Sequence, residues 1–333
     1  MTRHLLLTGA TGYLGSHLLA ELSRRTDYHI TATYSTLISK DLQLNCRYIP
    51  FYEVLYGEFD FKGIDTICHL GVPRVAPNDP RLAASLSELR VLLGKASTAG
   101  VRLFIYASSQ AVYGTLQPCW SENDPVAPIS NHGWLKFAGE QLVSLASSSL
   151  ESFQGISLRL PKLIGPTLDR HTIPRLNKGE YLHALAYAAL AQNSIKAGHG
   201  FLQSYYDFMD IRDAAIAIVR ILQVMDCEWG PVLNIGAGQQ ISGQKLVEAV
   251  DKVSSELFGL RLIYCVDYSL KAKRDFGLEV SLLKELVNGF SCRQLERTIQ
   301  DVCIQMSEHL DDLKKGKINC DNGRMAISEP GLD

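Results

Sequence analysis

Residues 3–15 read Arg3-His4-Leu5-Leu6-Leu7-Thr8-Gly9-Ala10-Thr11-Gly12-Tyr13-Leu14-Gly15. A short apolar run ends in three glycines spaced Gly-x-x-Gly-x-x-Gly. Leu14, Leu18 and Leu22 then fall on one helical face. Strand, tight turn and helix in this order are what a dinucleotide pyrophosphate requires. One glycine permits the turn, another lets the backbone approach the phosphates, and the last lets the helix pack on the strand. The N–H groups at the helix start then face the anion.

Working outward, strand-type and helical segments alternate. Residues 29–34 (HITATY), 66–70 (TICHL), 102–107 (RLFIYA) and 156–160 (ISLRL) read as strands. Residues 79–97 and 134–150 carry helical periodicity, the first with Leu82, Leu86, Leu89 and Leu93 in phase. The alternation predicts an α/β fold, a Rossmann-type doubly wound parallel sheet with helices on both faces. After Gly165-Pro166 the rhythm loosens. Helices are expected over 181–192, 211–225 and 243–257 and a short strand over 232–235. The division expected is a dinucleotide-binding domain over 1–166, with returning pieces near 207–236, a smaller C-terminal substrate lobe over 167–313, and a disordered tail over 314–333.

Composition sets bounds on partners. A net charge of −2 over 333 residues gives no basic footprint for nucleic acid. No stretch approaches the ~20 apolar residues of a membrane span, and the run Leu5 to Leu7 is too short for a signal peptide. The eight cysteines contain no Cys-x-x-Cys pair, which suits reduced thiols in a cytoplasm and argues against a metal site.

Several motifs together resemble the extended short-chain dehydrogenase/reductase group, the NAD-dependent epimerase/dehydratase family. They are the glycine turn, His69-Leu70-Gly71, Ser108-Ser109-Gln110-Ala111-Val112-Tyr113-Gly114, Leu158-Arg159-Leu160-Pro161 followed by Gly165-Pro166, Asp207-Phe208 with Asp213, and Leu233-Asn234-Ile235-Gly236 with Ser242. The resemblance implies an NAD or NADP site beside a lobe for a small-molecule substrate, commonly a nucleotide sugar. It places Gly9, Thr11, Gly12, Tyr13, Leu14 and Gly15 at the pyrophosphate. Leu70, Gly71, Val72, Arg74 and Ser85 would lie along the cofactor, Pro161 near the nicotinamide, and Tyr113 at the substrate. It also implies a homodimer through the helices at 79–97 and 134–150.

The family's chemistry uses a Ser or Thr with Tyr-x-x-x-Lys on one helical face. Ser109 matches the serine and Lys136 the lysine, which would also anchor the nicotinamide ribose. The tyrosine position is His132. Two readings follow. An imidazole, titrating at ~6.5, replaces the phenol as proton carrier, with the Lys136 charge favouring its neutral form. Alternatively the redox centre is relaxed or lost, leaving a cofactor-binding protein or a non-redox reaction. Two more departures matter. The end of the second strand, Thr33-Tyr34-Ser35-Thr36, has no acid for a ribose 2′-hydroxyl. This leans toward NADP, with Ser35 at the 2′-phosphate. Tyr206 stands where relatives that bind nucleotide diphosphates often carry an arginine, leaving Arg175, Arg212 or Arg274 to substitute.

Overall fold

The computed structural model describes residues 3–35, 38–72, 80–114, 117–169, 173, 180–224, 230–271, 274–314 and 326–327. The main sheet contains β1 (Arg3–Thr8), β2 (Tyr28–Tyr34), β3 (Arg47–Pro50), β4 (Thr66–His69), β5 (Leu103–Ser109), β7 (Gln154–Leu160) and β11 (Val232–Asn234). These seven strands are all parallel, in the order β11-β7-β5-β4-β1-β2-β3. Smaller groupings are β8 (Lys162–Ile164) with β10 (Tyr205–Asp210) and β12 (Gln240–Ser242), β9 (Ile195–Gly198) with β13 (Tyr264–Asp267) and β15 (Ala326–Ile327), and β6 (Cys119–Trp120) with β14 (Gly277–Leu278).

Each central strand is apolar on both sides because helices cover both faces. Leu5, Leu7, Ile105 and Ala107 face a core shared with α1 (Tyr13–Ser23) and α7 (Ile211–Gln223). Leu6, Ile67, Phe104 and Tyr106 face the opposite core, with α2 (Phe51–Tyr56), α3 (Pro80–Thr98) and α4 (Asn131–Ser149). A third core in the lobe joins α5 (Tyr181–Ala191), α8 (Gly243–Phe258) and α10 (Leu295–Lys314). Short helices α6 (His199–Gln203) and α9 (Ser281–Leu286) complete the set.

The doubly wound parallel sheet is as the sequence predicts. Three differences bear on the site. α4 begins three residues before the expected start, because Ser130 accepts from the Gly133 N–H and caps it. Of the expected returning pieces, β11 closes the main sheet, whereas β10 pairs with β8 and β12. α10 was not expected, although Ile299, Val302, Cys303 and Met306 are fully buried at helical spacing. Within the expected tail, Ala326–Ile327 pair in parallel with β9, while 315–325 and 328–333 lie outside the described residues. Among the described residues, no helix is long and apolar enough to cross a membrane.

Candidate active site

Thr8 ends β1, and the chain turns at Gly9, whose φ of 71° lies in the left-handed region. A Cβ at Gly9 would come within 2.7 Å of the Gly71 Cα, and one at Gly15 within 2.0 Å of the Gly9 oxygen. The turn, the exit of β4 and the first turn of α1 therefore touch backbone to backbone. α1 opens at Gly12 with no side-chain cap, unlike α4, α7 and α8, which Ser130, Asp210 and Ser242 cap. The first N–H groups of α1 are thus left for an outside anion, and these residues fit a dinucleotide pyrophosphate.

Around this cradle, Thr11 is partly exposed and Leu14 nearly buried. The Tyr13 hydroxyl donates to the Gly165 oxygen at 2.6 Å, tying the turn to the loop that enters the lobe. Leu70, Gly71 and Val72 follow β4 and are partly exposed; Arg74 lies outside the described residues. Ser85 is buried, and its hydroxyl donates to Leu82 O at 2.7 Å, so its donor is spent within its own helix. Ser35 is exposed at the end of β2, and Thr36 lies outside the described residues. Pro161 is buried between β7 and β8.

The expected catalytic residues converge where β5 ends and α4 begins. Ser109 is partly exposed, and its oxygen accepts the Ala111 N–H at 3.2 Å, leaving the hydroxyl hydrogen available to a ligand. Gly133 brings α4 against the turn Gln110–Val112: a Cβ there would lie 2.5 Å from the Ala111 oxygen. His132, just before it, is exposed in the first turn of α4. Lys136 lies one turn further and is buried; its ammonium donates to Ala107 O and sits 5.0 Å from the Tyr106 ring centre. Burial pushes the Lys136 ammonium down to about 7, against the opposing pull of Glu140.

A buried polar layer supports these groups. Glu140 is buried, with its carboxylate taken by Arg159 (3.0 and 2.8 Å) and by the Ser108 hydroxyl. His69 shares a 2.7 Å hydrogen bond with Thr8 and stacks on Tyr106. Burial, with the Lys136 charge nearby, pushes the His69 imidazole down to about 3. It is a neutral core residue.

Two expected substrate residues are corrected. Tyr113 is fully buried, stacked on Trp120 at 5.2 Å, with the Arg159 guanidinium 4.5 Å from its ring centre. Its hydroxyl donates to Asn234 Oδ1 at 2.7 Å, and burial pushes the phenol up to about 12. Arg212 spends its fork on Asp210 (2.9 and 2.6 Å) and Asp301 (2.7 Å), so it straps α7 to α10. Arg175 lies outside the described residues. The Arg274 N–H donates to Ser204 Oγ at 2.8 Å, which places its backbone beside the start of β10. A cavity of about 290 Å³ lies elsewhere in the lobe, between Ile164, Phe208, Val280 and Arg293, and none of the expected site residues lines it.

Comparison with known proteins agrees with this fold. The model of the NAD dependent epimerase/dehydratase family matches residues 5–236. An uncharacterized UDP-glucose epimerase, YtcB of Bacillus subtilis, is 27% identical over 270 residues, covering 75% of this chain and 82% of its own. The UDP-glucose 4-epimerase of Erwinia amylovora is 24% identical over 334 residues, covering 89% and 96%. Among solved structures, the UDP-glucuronic acid 4-epimerase of Bacillus cereus, in complex with UDP-glucuronic acid and NAD, superposes with a TM-score of 0.76 at 20% identity. That match covers 92% of this chain and 99% of the other. The match covers the glycine turn, the β5–α4 junction and the return to β11, and the chain belongs to the NAD-dependent epimerase/dehydratase family.

Proposed function

We propose that this chain is an NAD(P)-dependent oxidoreductase of the epimerase/dehydratase type, acting on a sugar-like hydroxylated molecule with a nucleotide sugar as the favoured class. One observation carries the reading. His132 is exposed at the start of α4, one turn ahead of the buried Lys136, where α4 meets the turn following Ser109. A bound nicotinamide would exchange hydride with a substrate carbinol carbon. Ser109 donates its hydroxyl hydrogen to the reacting oxygen and orients it. His132 takes the substrate hydroxyl proton on a ring nitrogen as the carbon is oxidised, and returns it on reduction. Lys136 anchors the ribose from one turn further along the helix. The absence of an acid at Ser35 removes repulsion toward a 2′-phosphate, whereas the solved Bacillus cereus epimerase carries NAD, so the reading covers both dinucleotides.

The test is His132→Ala. It should lower kcat by about 10²–10⁴-fold while dinucleotide affinity, measured by calorimetry, stays within about twofold. Full turnover in that variant sinks the assignment. A second reading, a cofactor-binding protein with relaxed or non-redox chemistry, draws on Tyr206 in the diphosphate arginine position and on the strapped Arg212. It predicts dinucleotide binding with no turnover of any hydroxylated substrate.

The assembly we propose is a homodimer through α3 and α4. Trp134 and Leu145 stand exposed on α4, three turns apart, and Gly94 on the adjacent helix α3 has open space above it. The cysteine pattern supports a reducing compartment, the cytoplasm.

A further inference from the structure

Lys162 is the first residue of β8, directly after Pro161, and is partly exposed. Its ammonium lies 4.6 Å from the ring centre of Tyr181 and 5.3 Å from that of Tyr206. Among the described residues no carboxylate pairs with it. Tyr181 opens α5, and Tyr206 lies on β10, the strand beside β8. Lys162 is in register with Phe208, so Tyr206 is two residues back on the same face of the sheet. The two rings, 5.9 Å apart, form a corner under the ammonium. An aromatic face attracts a cation without neutralising it or using up its N–H donors, whereas a carboxylate would do both. The corner therefore holds a fixed positive charge still able to bind an anion.

We propose that Lys162 grips the phosphates of a nucleoside-diphosphate-linked substrate, supplying from β8 the charge that an arginine at position 206 would supply from β10. The aromatic residue at 206 and the lysine at 162 then form one device: the ring replaces the fork and seats the new cation. A point charge on a flexible stem gives up the bidentate geometry of a guanidinium but keeps the attraction for phosphate. The proposal rests on the reading of the lobe as a nucleotide-sugar site.

Calorimetry on the full chain with UDP, uridine and inorganic pyrophosphate tests it. The parent should bind UDP about tenfold or more tighter than uridine, with pyrophosphate competing. Lys162→Gln should weaken UDP by about tenfold or more, leave uridine within about twofold and abolish the competition, and Lys162→Arg should restore all three. The proposal is overturned by a Lys162→Gln protein with the parent's melting temperature and NAD+ affinity that binds UDP unchanged. It is equally overturned if the parent binds UDP no better than uridine. If Lys162→Gln weakens UDP and uridine together with a fall in melting temperature, the lysine only braces the aromatic corner and the proposal falls. Lys162-dependent UDP binding in a protein that turns over no substrate would sink the redox reading and leave this one standing.

Discussion

At Tyr113 the hydroxyl and both ring faces are occupied, and the partner of the hydroxyl is itself a hub. Asn234 donates to Trp120 O and Glu279 O while accepting from Tyr113. Tyr113→Phe leaves a buried acceptor unmatched and should cost about 1–3 kcal/mol by urea denaturation, with KM unchanged. A raised KM at full stability would return Tyr113 to the substrate. Ser109, His132 and Lys136 differ in what places them. Those three lie on a strand end and one helix turn, which local pattern positions, while their proposed roles come from the family resemblance. The partners of Tyr113 and Arg212, Asn234 and Asp301, lie 121 and 89 residues away, and no local pattern encodes such pairings.

Among the elements, α1 depends on the glycine turn and α4 carries the proposed chemistry. Gly15→Ala drives a Cβ against the Gly9 oxygen at 2.0 Å, and neither backbone segment has room to yield. The loss expected is about 3 kcal/mol, read as a lower melting temperature, with dinucleotide binding abolished in a calorimetric titration. Leu145→Glu places a charge in the proposed dimer face and should give a monomer by sedimentation at unchanged melting temperature. A dimer that persists refutes that interface. The strongly apolar strands β1, β4, β5 and β7 were legible because both their faces are buried. β3 and β8 were not, being short and only partly covered. The signal for α10 was present in the spacing of its apolar residues, diluted by the charged ones around them.

For the whole molecule, buried ionisable groups set the acid limit. Burial holds His69 at about 3 and His17 at about 4, below the 6.5 of an unfolded imidazole. Between these values the unfolded chain binds more protons, so stability falls as pH falls from 6.5 toward 4. Asp207, raised by burial to about 6, acts in the opposite sense, because its native form keeps its proton longer as pH rises from 3.8. Among the groups shifted furthest, two imidazoles oppose one carboxyl, which leaves a net loss of stability on acidification. The urea midpoint should therefore be lower at pH 5 than at pH 7, and an equal midpoint would refute this balance. The last strand of the main sheet has a further consequence. β11 pairs with β7 but is contributed by residues 232–234, after the first part of the lobe. A ribosome must release well over two hundred residues before the dinucleotide-binding sheet is complete. Until then β7 is an open edge for pairing with another nascent chain, so a fragment ending at Pro166 is a candidate for aggregation rather than a minimal cofactor-binding domain.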